Sequence, residues 1–191
     1  MKNTFAYRIS LLALALAAAL GPFRASATMT LPPAGVTAIS SSSPELTGII
    51  LFNNNRAETG RAAVTEAPKG MLVQLEVRGL MTGWYGVHIH GVGDCSDVAT
   101  FSSAGPPLAL AGQDHGYLNA NGPQNGDLPN IWVGQDGTGR AQFFTTLLTS
   151  QMLHVTSGAA IVIYQSEDDF KANRDSQPGK RIACGVIVPK K

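Results

Sequence analysis

Beyond residue 30 the apolar residues of this chain come only in short runs. Residues 71–77, Met-Leu-Val-Gln-Leu-Glu-Val, are the clearest: apolar and polar side chains alternate, as in a strand with one face buried and the other wet. Residues 46–52, 131–133, 141–148, 159–164 and 182–188 repeat the theme, and 35–40 is a weaker first member. Turn chemistry separates them at Asn53-Asn54-Asn55, Met81-Thr82-Gly83 and Asp136-Gly137-Thr138-Gly139. No stretch past the N-terminus carries a convincing helical period, no internal repeat is visible, and no run is long enough to cross a membrane as a helix. Short strands of this kind bury their faces against one another. The chain is therefore expected to be all-β, an antiparallel sandwich or barrel of seven or eight strands.

One strand carries chemistry. Residues 83–95 read Gly-Trp-Tyr-Gly-Val-His-Ile-His-Gly-Val-Gly-Asp-Cys. On an extended strand His88 and His90 share a face and Ile89 takes the other. Two imidazoles on one rigid face can grip a metal, or serve as two strand histidines with hydrogen-bonding roles. Residues 91–130 then run for about forty positions in Gly, Pro, Asn, Asp and Ser with little periodicity. A loop of that length in a compact domain usually serves a function or is clamped. A second polar loop is expected over 165–180. His154 lies in a polar connection and reads as surface, and Trp84 and Trp132 read as packed in the sandwich or at a subunit contact.

The first 27 residues have the pattern of a secretory signal: Lys2 and Arg8, an apolar run over 9–20, and Ala25-Ser26-Ala27 as the cleavage site. The apolar run is short for a membrane span, although an uncleaved anchor is the alternative. The chain is thus divided into a signal peptide, 1–27, and one domain, 28–191, with no membrane association once the signal is removed. Removal takes away Lys2, Arg8 and Arg24 and no acid, leaving 11 of the 14 Lys and Arg residues against 13 Asp and Glu. That balance gives no footprint for nucleic acid. Two cysteines in an exported chain suggest one disulfide, Cys95 to Cys184, rather than two free thiols. Such a link is worth roughly 4 kcal/mol in the chain-entropy model.

Seven segments in order resemble the copper/zinc superoxide dismutases, especially the secreted bacterial kind. They are Gly-Val-His-Ile-His (86–90), Gly-Asp-Cys-Ser (93–96), Ser-Ala-Gly (103–105), Asp-His-Gly-Tyr-Leu-Asn (114–119), Gly-Asp-Leu-Pro-Asn (126–130), Asp-Gly-Thr-Gly (136–139) and Arg-Ile-Ala-Cys-Gly-Val-Ile (181–187). The resemblance implies a Greek-key β-sandwich or flattened barrel of about eight antiparallel strands with two long loops. It implies that His88 and His90 match two copper ligands, and that His115 and Asp127 match two zinc ligands. Asp168 matches the aspartate that links a copper histidine to a zinc histidine, and Arg181 the arginine that guides the superoxide anion. Cys95 and Cys184 match the intrasubunit disulfide.

Three ligand positions depart from that pattern. Pro107 stands where the bridging histidine belongs, Gln124 where a zinc histidine belongs, and Tyr164 where the last copper histidine belongs. Proline offers no side-chain donor atom. Copper on His88 and His90 remains feasible, whereas zinc, normally four-coordinate, keeps only His115 and Asp127. Without zinc these two become a hydrogen-bonded pair that pins the long loop. Tyr164 reads as a hydrogen-bonded phenol rather than a ligand, and Arg181 is expected either at its guiding position, now vestigial, or paired with a loop carboxylate.

The expectation is an exported protein of this family with incomplete copper and zinc sites and little or no dismutase turnover, binding copper for sequestration or delivery. A weakly active copper-dependent dismutase and a metal-free interaction module are the alternatives. The expected partner is a metal ion; a homodimer or an unidentified protein partner is left open.

Overall fold

A computed structural model describes residues 48–171, 178–188 and 191. The signal peptide (1–27) and the weak first strand (35–40) lie outside the described residues. Eight strands follow one another: β1 (Ile49–Asn53), β2 (Glu58–Ala67), β3 (Gly70–Arg78), β4 (Gly83–His90), β5 (Asp127–Val133), β6 (Thr138–Thr145), β7 (Ala159–Tyr164) and β8 (Arg181–Val188). They form one antiparallel sheet in the order β5-β4-β7-β8-β1-β2-β3-β6. β5 and β6, the two ends of that order, are joined by the tight turn at Gly134–Thr138 and lie close to each other. The sheet thus curls into a nearly closed barrel, the all-β architecture expected from the sequence. Its interior is filled by Leu51, Val73, Leu75, Val87, Ile89 and Ile161 among others, all 1% exposed or less.

Three departures from expectation have physical reasons. β2 was not foreseen, because it carries almost no apolar bulk. It buries small residues, Thr59, Gly60 and Ala62, and a Cβ on Gly60 would lie 2.4 Å from the Glu76 carbonyl oxygen. The long loop ends at 126 rather than 130. β5 starts at Asp127 and absorbs Pro129, which has no N–H for the ladder, at an irregularity opposite Gly86. Finally, one helical turn, α1 (Ser150–Leu153), forms where no helix was expected. The Thr149 hydroxyl caps it by accepting from the Met152 amide, and Leu153 is buried beneath it.

The loop between β4 and β5 is anchored repeatedly. Cys95 and Cys184 form the disulfide, tying the loop to β8 across 89 positions of sequence. Under that link a second, smaller core gathers Phe101, Ala104, Ala160, Val162, Tyr164 and Cys184 on the outer side of β7 and β8. Pro107 pairs with His90 in an isolated bridge, the Leu108 amide donates to the Ile89 carbonyl, and the Ile89 amide donates to the Gly126 carbonyl. Gly126 sits so close to β4 that a Cβ there would lie 2.1 Å from the Ile89 oxygen. His154 is exposed, as expected, while Trp84 and Trp132 lie outside the core as a half-exposed pair across β4 and β5.

Candidate metal centre

β4 delivers His88 and His90 to the outer face of the barrel wall. Ile89 between them points into the core, while both imidazoles are fully buried under the long loop. The two rings then meet different partners.

His88 Nε2 lies 2.8 Å from Asp168 Oδ2. A carboxylate only accepts here, so Nε2 carries the proton and Nδ1 presents a lone pair. That Nδ1 is buried and has no hydrogen-bond partner among the described residues. His90 Nδ1 is 2.8 Å from the Gly105 carbonyl oxygen, which fixes its proton there. Its Nε2 lone pair accepts from the Tyr164 hydroxyl at 2.8 Å. Burial, then the positive charge of Arg181, pushes the His90 imidazole down to about 3, so it stays neutral. Burial pushes the Tyr164 phenol up to about 12 against the opposing charge of Arg181, which keeps its proton in place.

His115, on the long loop, lies between two acids. Its Nδ1 is 2.7 Å from Asp127 Oδ1 and its Nε2 is 2.8 Å from Asp168 Oδ2. The second contact has an ion-pair distance but misses the N–H direction; the better-aligned bond of that oxygen is to His88. Burial disfavours charge on His115, but the carboxylates of Asp127 and Asp168 outweigh it and raise the imidazole to about 10. Burial would also raise Asp168. The His115 and His88 imidazoles and the Phe170 amide overcome this and hold its carboxyl well below the usual range. Asp168 is itself fixed by a reciprocal backbone pairing with the Asn130 side chain of β5.

Asp127, the first residue of β5, gathers the loop. Its Oδ2 accepts from the amides of Gly116 and Gln124, each at 2.9 Å, and its backbone oxygen accepts from the Tyr117 hydroxyl at 2.7 Å. Gly116 has a positive φ of 105°, and a Cβ on it would lie 2.2 Å from the Phe170 carbonyl oxygen. The Gln124 side-chain oxygen is buried without a hydrogen-bond partner among the described residues. Donor atoms of His88, His115 and Asp127 all lie within 4.8 Å of one another.

The remaining site residues line an adjoining cleft. Arg181 donates to the Phe101 carbonyl at 2.8 Å and also hydrogen-bonds the Tyr164 hydroxyl. Arg181, Lys180, Asn54, Thr100 and Tyr164 line this cleft of about 450 Å³. The part of this arrangement that sequence reasoning missed is the pairing of Tyr164 with His90. The two are 74 positions apart, and only the adjacency of β4 and β7 brings them together.

The family model for copper/zinc superoxide dismutase (SODC) matches residues 58–187. This chain belongs to the copper/zinc superoxide dismutase family. The superoxide dismutase [Cu-Zn] of Caulobacter vibrioides is 38% identical over 137 residues, covering 68% of this chain and 78% of that protein. A superoxide dismutase-like protein of Bacillus subtilis, YojM, is 30% identical over 145 residues, 72% of this chain and 74% of its own length. Among solved structures, a double mutant of a superoxide dismutase-like protein from Bacillus subtilis superposes with a TM-score of 0.66 at 29% identity, covering 73% of this chain and 95% of that one.

Against the superoxide dismutase donor set, the residues present do not fit a copper–zinc pair. Pro107 has no donor atom, the Tyr164 hydroxyl is turned to His90, and Gln124 offers at most an amide oxygen. What the chain retains is an unpartnered lone pair on His88 Nδ1 and a second lone pair on His90 Nε2, shared with a neutral phenol. These two nitrogens are the donor atoms that remain of the family's copper set.

Proposed function

We propose that this is an exported superoxide dismutase-like protein without normal dismutase turnover, holding a single copper ion on His88 and His90 for sequestration or delivery. The observation that carries the reading is the hydrogen bond between the Tyr164 hydroxyl and His90 Nε2, at a position where the family's copper would have its last histidine. A copper cycling through Cu(II) wants a tetragonal set of about four nitrogen or oxygen ligands. This chain supplies two, and Pro107 removes the bridging imidazole with its proton relay. Cu(I) is softer and accepts two nitrogens. The N-terminal pattern over 1–27 and the disulfide fit an oxidising compartment outside the cytoplasm.

The test is the copper content and Cu(I) affinity of the disulfide-oxidised mature protein, measured beside His88→Ala/His90→Ala. Tight copper lost in the double variant, with a negligible dismutase rate from the loaded protein, is the expected result. A robust rate would overturn the reading. Repair offers a second arm. Pro107→His with Tyr164→His is expected to raise copper affinity and restore some activity. The double mutant from Bacillus subtilis carries an exchange of the same kind, with one tyrosine and one proline each replaced by histidine. No gain in either quantity would mean that the loop no longer holds a competent backbone.

A metal-free interaction module is the second reading. It is favoured by the closure of His115 Nδ1 on Asp127, a buried pairing that needs no ion. It predicts no specific copper and no change of stability on metal addition.

A further inference from the structure

We propose that Tyr164 is a positioning residue that competes with copper for His90 Nε2, so that the affinity of the two-histidine grip is set by an internal hydrogen bond. This rests on the copper-binding reading above and says what tunes it.

The geometry is specific. His90 has one nitrogen committed to the Gly105 carbonyl, which leaves Nε2 as its only free donor to a metal. The Tyr164 hydroxyl is on that nitrogen, 2.8 Å away and buried. The phenol ring lies against both members of the grip. Its centroid is 5.9 Å from His90 at 29° and 5.0 Å from His88 at 48°. It cannot swing aside cheaply, because it is fully buried in the small core with Phe101, Val162 and Cys184. A metal reaching His90 must therefore replace an O–H···N bond. His88 Nδ1 carries no such cap. The two halves of the grip are unequal: one is ready and one is occupied.

Tyr164→Phe removes the hydroxyl, with its bond to His90 and its contact with Arg181, and keeps the ring. In Tyr164→Phe, His90 Nε2 is left as a buried acceptor without a donor. The metal-free protein loses stability, and the metal no longer displaces anything. Cu(I) affinity, measured by competition with a chromogenic chelator, is expected to rise about tenfold, the equivalent of one lost buried hydrogen bond. The melting temperature of the metal-free variant is expected to fall, and its gain on adding Cu(I) to exceed that of wild type. Tyr85→Phe serves as a control, because the Tyr85 hydroxyl bonds the Met81 carbonyl at the opposite end of β4; its Cu(I) affinity is expected to match wild type.

Unchanged affinity in Tyr164→Phe would overturn the proposal, since the phenol would then be a bystander. Weaker binding would overturn it in another way, by making the phenol oxygen a ligand. In both cases tight wild-type binding would leave the copper-binding reading standing. Copper taken up by Tyr164→Phe but not by wild type would support the competition and overturn that reading for the natural protein. Binding by neither would overturn both.

Discussion

His90, Asp168 and His115 lie within one buried cluster, yet their protons pull stability in opposite directions with pH. His90 titrates near 6.5 when exposed and about 3 in the fold, so the unfolded chain takes up its proton first and stability is lost as pH falls through that window. Asp168, held below its ordinary 3.8, acts in the same sense: its contribution is present above that value and is lost on further acidification. His115 is raised to about 10, so its contribution is complete below 6.5 and is lost as pH rises toward 10. The metal-free protein is therefore expected to melt highest near neutral pH and lower on either side. Melting temperature measured from about pH 4 to about pH 10 checks this. A flat profile on the alkaline side would show that His115 is not charged between its two carboxylates. The sequence marks these residues through their spacing, but not their partners. Which nitrogen of His90 is free depends on a carbonyl fifteen residues away, and its cap on a strand seventy-four residues away.

Among the elements, two of the fastenings on the long loop can be removed one at a time. One is the disulfide to β8; the other is Asp127, which collects two loop amides and the His115 ring. Asp127→Ala strips a buried imidazole of one carboxylate and is expected to cost about 3–5 kcal/mol. Limited proteolysis should then cut within residues 109–126 while leaving the segment near Cys95 protected. Reducing the disulfide, or replacing it by Cys95→Ser/Cys184→Ser, is expected to cost roughly 4 kcal/mol and to expose the Cys95 side instead. Identical cleavage patterns from both variants would mean that the loop opens as one piece. The strands themselves were largely legible, because β3, β7 and β8 announce themselves by alternation or by unbroken apolar runs. β2 was not, since a strand that buries glycine and alanine has no hydrophobic signal to read. The start of β5 was hidden by Pro129, which reads as loop until the bulge that accommodates it is seen.

At the scale of the molecule, the barrel interior and the site layer are separate packings that share one wall. The large core lies inside the barrel, while the histidines and the small core lie outside it, on β4, β7 and β8. Loss of the site layer need not unfold the barrel. Amide exchange in Asp127→Ala is expected to accelerate over residues 109–126 and to leave β1, β2 and β3 at their wild-type protection. Acceleration throughout would show that the loop and barrel unfold as one unit. The Trp84–Trp132 pair gives this architecture an optical address. The chain's two tryptophans are its whole complement, and their rings stand edge to face at 5.2 Å on the outside of β4 and β5. All indole emission therefore originates from one spot on the surface. A fluorescence melt will report the parting of β4 from β5, away from the histidines at the other end of β4.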